Sequence, residues 1–550
     1  MSNGTTLAPP PPTRRKPASA LRSGALMAAG SLVSRATGFV RASVVAAALG
    51  AGVVADGYAV GNSVPTIVYM LLLGGALNAV FVPELVKAAK EHEDGGAAYT
   101  DRLLTLCALA LAALTAGAVL AAPLVVDTYT DYTGGQRDLT IAFTRACLPQ
   151  ILFLGLFTLL GQVLNARGRF GAMMWTPVLN NVVVVAVFGL FLVVSDGGEL
   201  TPGETALLGW GTTAGIAAQA LALLPSLRAA RFRFRPRFDW RGSGLTAPLR
   251  AAGWLVLLVA VNQAAYWVTT WVATSTGSAE TGADAGLAAA TGGVAGLAVY
   301  NNAYLLWAVP HGIVTVSLVT ALMPRMSGAA ADGDLAGVRR DVSYAQRTTS
   351  AAVVPAACAL FALATPLMSA VFGHGATDEA DVRAMAWTLT AFAPGLIAFS
   401  GQYVCTRAFY ALRDTRTPFL LNLVIAGLNA GLSLAAYHWL PAHWVVAGMA
   451  AGYSLALWAG WGLTAYVLRR RLPAAKDGGD GLGRLLTAAI PATGYGLLVT
   501  DTTAPAGAVL SGLAGAATVL GVFALLARPL RLTEVSALLA KATGRLTRRT

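Results

Sequence analysis

Charge is scarce in this chain. Only 12% of its 550 residues are Asp, Glu, Lys or Arg, about half the ~25% typical of a soluble domain. That excludes a water-facing globular surface over most of the sequence. Cysteine is scarcer still. Cys107, Cys147, Cys358 and Cys405 lie in or beside apolar runs with no CxxC spacing. They read as small core side chains, not as a disulfide framework or a metal site. There are five histidines and no HExxH. A P-loop and a nucleotide fingerprint are also missing. The sequence therefore offers no catalytic constellation, no cofactor site and no metal site, and the expected class is not an enzyme. Carboxylates at membrane depth are rare after Asp56, which weighs against antiport of protons or sodium through a buried acid in the second half.

Apolar length is what the chain has instead. Hydrophobic residues make up 56%, and runs of about 20 recur from end to end, each enough to cross a bilayer as a helix. Fourteen candidate spans emerge, at 24–49, 56–86, 103–126, 139–165, 171–195, 204–228, 246–274, 294–324, 347–373, 382–409, 418–437, 444–468, 484–500 and 507–527. The fold class is an all-α polytopic membrane protein. The net charge of +13 would suit a nucleic-acid binder if it lay on one soluble face, but the basic residues sit in short loops. The leading tail and every second loop after it hold 34 of the 39 Lys and Arg residues. The opposite loops carry acids, among them Asp127, Asp131, Glu204, Asp378 and Asp381. By the positive-inside rule both termini are cytoplasmic, and nucleic acid is not an expected partner.

The expected organisation follows. Residues 1–22, with Pro9–Pro12 and a basic cluster, form a disordered cytoplasmic tail with no cleavable signal peptide. Residues 23–230 and 246–471 each hold six spans, joined by a basic linker at 231–245. Two further spans occupy 472–528. The basic tail at 529–550 is either an amphipathic helix on the inner leaflet or a solvated segment. A weak internal repeat supports the halves. QVLNARGRFGAMMWTPVLNN, from Gln162, and TRAFYALRDTRTPFLLNLV, from Thr406, share an arginine turn, a proline and asparagines at an offset near 245. Both fall on the cytoplasmic side. The halves are then parallel repeats, with a substrate site between them.

Arg35 and Arg41 lie inside the first apolar run, where an arginine costs ~2.5–3.5 kcal/mol even on the mildest scale. Arg41 can partly snorkel toward one end; Arg35, near the middle, cannot do so easily. Together they suggest a water-filled, anion-attracting cavity. Six residues apart, they point roughly 120° from each other, so they line a broad cavity and do not form a tight clamp. Asp56 opens the second span and suits pairing with an arginine, closing an outer gate, or capping its own helix. Pro65 and Pro310 favour bends within the second and eighth spans. Asn62, Asn78, Asn180, Asn181, Asn262, Gln263, Asn301 and Asn302 are polar at membrane depth, and most read as interhelical glue. His311, after Pro310, either faces the cavity or serves as a structural hydrogen-bonding residue.

The stretch SRATGFVRASVVAAALGAGVVADGYAVGNSVPTIVYMLLLGGALNAVFVPEL, from Ser34, resembles the start of the MurJ/MviN family of lipid II flippases. Further similar motifs are LNARGRFG at Leu164–Gly171, VPHGIVTVSLVTALMPRMS at Val309–Ser327 and RAFYALRDTRTP at Arg407–Pro418. The resemblance covers roughly Leu21 to Arg471. It implies membership of the multidrug/oligosaccharidyl-lipid/polysaccharide transporter superfamily, with two six-helix lobes in a V-shaped arrangement and two C-terminal helices beside a lipid groove. It further implies export of a pyrophosphate-linked peptidoglycan precursor across a bacterial plasma membrane. The implied partners are that precursor, membrane lipids and cell-wall synthesis or division proteins. By motif position Arg35, Arg41 and Asp56 match functional cavity residues. Tyr69 and Leu305 stand where well-studied members carry basic residues, and Gly74 replaces an acid, leaving the cavity's positive charge mainly on the two arginines. The candidate substrate-contacting set is Arg35, Arg41, Asp56, Asn62, Tyr69, Asn78 and His311. Alternatives are a polysaccharide-lipid flippase or drug exporter of the same superfamily, or a non-transporting scaffold for cell-wall enzymes.

Overall fold

A backbone in hydrocarbon has no water to bond, so each apolar run must satisfy its own N–H and C=O groups as a helix. The computed structural model describes residues 17–73, 94, 96–167, 169, 171–195, 200–239, 253–278, 296–473 and 481–537, and within them every regular element is helical. The first half of the chain contains α1 (Pro17–Leu49), α2 (Val53–Leu73), α3 (Ala97–Leu120), α4 (Ala122–Tyr129), α5 (Gly134–Cys147), α6 (Gln150–Ala166), α7 (Gly171–Val194), α8 (Pro202–Leu221) and α9 (Leu224–Ala229). The second half contains α10 (Gly253–Ser278), α11 (Leu297–Pro310), a π-turn (His311–Thr315), α12 (Val316–Ala331), α13 (Leu335–Ala362), α14 (Ala364–Phe372), α15 (Glu379–Phe392), α16 (Gly395–Ala411), α17 (Arg416–Trp439) and α18 (Ala442–Arg471). Then come α19 (Gly481–Thr503) and α20 (Ala508–Ala527). Among the described residues nine helices are long and apolar enough to cross a membrane. Two bent pairs, α13 with α14 and α15 with α16, bring the number to eleven. The long helices α2, α10 and α18 complete fourteen helical units at the fourteen expected positions.

Helix packing repeats along the chain. In the first set α1 packs on α7, α7 on α8, α2 on α5, α5 and α6 on α8, and α3 on α6. In the second α10 packs on α17, α17 on α18, α11 on α15, α15 and α16 on α18, and α13 on α16. These are the same pairings, shifted by six units. The last two helices pair with each other and lie against α13 and α14. The sets meet where α2 touches α10 and α11, and where α1 touches α14. The largest buried cluster, around Trp307, Phe372 and Phe392, takes in Ala46, Ala51 and Val60 from the first set.

The fourth and tenth units are each broken at a proline, Pro149 and Pro394, and these are 245 residues apart. Each break exposes carbonyls that the helix no longer bonds. A hydroxyl from the sixth unit of the same set repairs each. Thr213 Oγ1 donates to the Ala146 carbonyl at 2.7 Å, and Ser454 Oγ to the Ala391 carbonyl at 2.8 Å. Ala146 and Ala391 are again 245 apart. The loops that follow also close alike. The Arg169 N–H donates to the Leu164 carbonyl and the Asp414 N–H to the Phe409 carbonyl, both at 2.9 Å. The repeat that was faint in sequence is thus written in backbone geometry. The expected bends differ: Pro65 sits within continuous α2, and Pro310 leads into the π-turn.

Three helices end on an arginine in the left-handed region, Arg231 (φ 55°), Arg413 (φ 59°) and Arg531 (φ 52°). Glycine usually fills this position. Each is followed by an N–H that closes back over five residues, Phe232 to Leu227, Asp414 to Phe409 and Leu532 to Ala527. Two basic segments are held rather than free. In 231–239 the Arg237 N–H donates to Thr105 Oγ1 at 3.0 Å, and Arg102 pairs with Asp239. After α20, Leu532 and Val535 are buried in the core. The start of the basic tail therefore docks on the bundle, and its remainder, 538–550, lies outside the described residues.

Candidate functional site

The two intramembrane arginines sit on α1, which one face ties to α7. Asn181 Nδ2 donates to the Ser34 carbonyl and to Thr37 Oγ1, both at 3.0 Å. Trp175 packs over Gly30 on the same face. Arg35 lies off that face, and its guanidinium rests against Gly312 in the π-turn, where an added Cβ would have to push it aside. His311 is next to it, 6% exposed, with Nδ1 3.0 Å from Ser400 Oγ and its ring against Phe399 and Tyr403. Its contacts are those of a structural histidine that also borders Arg35. Six residues on, about 9 Å along the helix, Arg41 lines a cavity of about 220 Å³ together with Asn62, Ser63, Asn301, Asn302 and Leu305. Among the described residues neither Arg35 nor Arg41 has a hydrogen-bond or ion-pair partner.

Asp56 is 1% exposed and occupied. Its Oδ1 accepts from the Ala298 N–H at 2.7 Å, at the start of α11. Gly296, which precedes α11, is where a Cβ would overlap the Asp56 carboxylate. Asp56 caps a helix, but a helix 242 residues away in the other set. This replaces both pairing with an arginine and capping its own helix. A second seam lies beside it: the Ala376 N–H donates to the Ala47 carbonyl (2.7 Å) and Thr377 Oγ1 to the Ala46 carbonyl (3.0 Å). Gly375 (φ 63°) turns against the Ala47 carbonyl, where no side chain fits.

The remaining candidates separate. Asn62 borders the Arg41 cavity and accepts from Gln150 Nε2 at 3.4 Å. The Tyr69 hydroxyl is 2.7 Å from Thr158 Oγ1, and the ring packs between α2 and α6 in the first set, away from the Arg41 cavity. Asn78 lies outside the described residues. Asn181 acts as interhelical glue, as does Asn262, which accepts from Asn422 Nδ2 at 2.9 Å. Sequence reasoning passed over Tyr58 and Ser63. Both line the Arg41 cavity, and their spacing from Asp56 and Asn62 was the available signal. A neighbouring cavity of about 450 Å³ in the second set is lined by neutral amides and phenols, including Gln402, Asn429 and Tyr304, and shares Asn301 with the first.

Repeated six-helix sets, meeting beside a cavity lined by Arg41 and several amides, are an architecture found in helical membrane transporters. The comparisons specify which. The family described as Lipid II flippase MurJ matches residues 45–517, and the chain belongs to that family. The Lipid II flippase MurJ of Burkholderia cenocepacia is 28% identical over 396 residues, covering 70% of this chain and 72% of that protein. The Probable lipid II flippase MurJ of Haemophilus influenzae is 27% identical over 467 residues, covering 81% and 84%. A solved structure titled "Lipid II flippase MurJ, inward closed conformation" superposes with TM-score 0.74 at 16% identity, covering 92% of this chain and 99% of that one. An inward-facing multidrug resistance MATE family transporter of the MOP superfamily superposes at 0.55, with 13% identity, over 81% and 94%. Both structures share the fold.

Proposed function

We propose that this protein moves lipid II, the undecaprenyl-pyrophosphate-linked peptidoglycan precursor, from the inner to the outer leaflet of a bacterial plasma membrane. A head group of sugars, peptide and pyrophosphate cannot cross hydrocarbon unaided. The observation that carries the reading is the pair Arg35 and Arg41, at membrane depth and without an anionic partner among the described residues. Cations at membrane depth without counter-ions are costly, and a diphosphate supplies the missing charge through short, charge-assisted hydrogen bonds. The arginine-rich loops face the cytoplasm, as do both termini.

Residues 23–230 and 246–471 act as two lobes that rock about the shared cavity. The Asp56 cap on α11 and the contacts of Ala46 and Ala47 with the 373–378 loop lie at the end opposite the basic loops. They are the outer closure, and they part when the cavity opens outward. The lipid tail stays in the bilayer and passes along α19 and α20. Complementation of cells depleted of their own lipid II flippase tests this at matched expression. Rescue by the wild type and not by Arg35→Ala/Arg41→Ala supports a cationic flippase cavity. Rescue by both removes the arginines from the mechanism.

A further inference from the structure

A second cationic site lies away from the Arg35 and Arg41 cavity and shares no lining residue with it. It is a cavity of about 200 Å³ between α13, α18, α19 and the segment after α20. Arg339, Ser343, Arg347 and Ser350 reach it from one face of α13, spaced by four, four and three residues. That spacing keeps them within one stripe of a helix. Arg469 enters from the last turn of α18, and Arg531 from beyond α20.

Four guanidinium groups thus converge from three distant segments. Among the described residues one acid stands with them: Glu534, whose carboxylate is 3.4 Å from Arg347. The guanidinium groups of the other three arginines have no hydrogen-bond or ion-pair partner among the described residues. Among the described residues two buried donors on the wall have no hydrogen-bond acceptor, the Nε of Arg339 and the indole N–H of Trp461. An unmet buried donor costs about 1–3 kcal/mol, so this hole is short of acceptor oxygens as well as negative charge. Arg531 is fixed in place, because the Leu532 N–H closes on Ala527 at 2.8 Å and Leu532 and Val535 are buried.

We propose that this cavity binds a phosphate group, and that the head group of an anionic membrane lipid supplies it. Position and lining, not volume, separate it from the Arg41 cavity of about 220 Å³. About 200 Å³ holds a phosphate with a few waters at ~30 Å³ each. Leu482 and Leu485 form its apolar side on α19, and the same helix presents Ile490, 76% exposed, and Leu498 along its outer face, where acyl chains can lie.

The full-length protein in detergent, titrated with phosphatidylglycerol and followed by native mass spectrometry, tests the site. Separate titrations use inorganic pyrophosphate and uncharged diacylglycerol. Saturable phosphatidylglycerol binding is expected, with none for diacylglycerol. Protection by pyrophosphate as well would place free phosphates among the ligands; its absence would assign the site to lipid alone. Arg339→Gln/Arg469→Gln should weaken binding roughly thirtyfold, at about fivefold per arginine. The charge-matched control Arg340→Gln/Arg470→Gln changes residues outside the cavity and should leave it nearly unchanged. Glu534→Gln should tighten binding by about fivefold, a gain that misfolding cannot produce. Equal losses in the cavity and control variants, or no change with Glu534→Gln, would overturn the proposal.

Discussion

Asp56→Ala is the most informative single change at the seam between the two helix sets. The carboxylate is buried and accepts from the Ala298 N–H at 2.7 Å, so its removal leaves the first turn of α11 without an acceptor. Loss of such a cap costs about 1–2 kcal/mol, with part of that coming from the charge at the helix N-terminus. Because the contact joins the two sets, the cost falls on the closed seam and not on either set alone. The equilibrium should shift toward the parted state by about 5- to 30-fold. Gly296→Ala reaches the same contact from the other side, since its methyl would overlap the Asp56 carboxylate. The assay is maleimide labelling of Ala51→Cys, a position 1% exposed between α1 and α2, in detergent after the four native cysteines are replaced by alanine. Labelling should accelerate about 5- to 30-fold in Asp56→Ala and Gly296→Ala, and less in Asp56→Asn, which keeps one acceptor oxygen. Unchanged labelling in both would refute the cap as a closure element.

Further expectations follow from the repeated geometry. Thr213→Val and Ser454→Ala each orphan a buried carbonyl at a broken helix, and each should lower stability by about 1–2 kcal/mol; they lie in separate sets, so their effects on thermal unfolding should add. Arg413→Gly relieves a left-handed backbone at a helix end and should stabilise by up to about 1 kcal/mol, read as a higher midpoint of unfolding. Gly312→Leu should push the Arg35 guanidinium from its seat and cut transport by about tenfold, the scale of one lost charge-assisted contact, while the purified protein keeps its helical circular dichroism.

The fourteen units and their order were legible because each needs only a long apolar run. Which prolines break a helix was not. Pro65, Pro177 and Pro355 sit inside continuous helices, whereas Pro149 and Pro394 fall at breaks where Thr213 and Ser454 supply replacement donors. A proline's effect depends on a neighbour tens of residues away, and a single run of sequence does not contain that neighbour. The same limit governs the site. Asn62 and Tyr69, seven apart, share a helix face by spacing alone, and both bond residues of the broken fourth unit, Gln150 and Thr158. Spacing gave the face but not its partner, so Tyr69 was placed with the cavity when it belongs to packing inside the first set. Arg35 and Arg41 were legible because a charge in an apolar run is conspicuous at any depth. The role of Asp56 was not, because its partner is the backbone of a helix 242 residues away.

The most direct measurement is reconstitution of the purified protein in liposomes with fluorescent lipid II, counting the fraction that crosses to the opposite leaflet. The wild type should translocate it, and Arg35→Ala/Arg41→Ala should not, although both fold and insert alike. Equal translocation by the double variant would contradict a mechanism built on those two arginines.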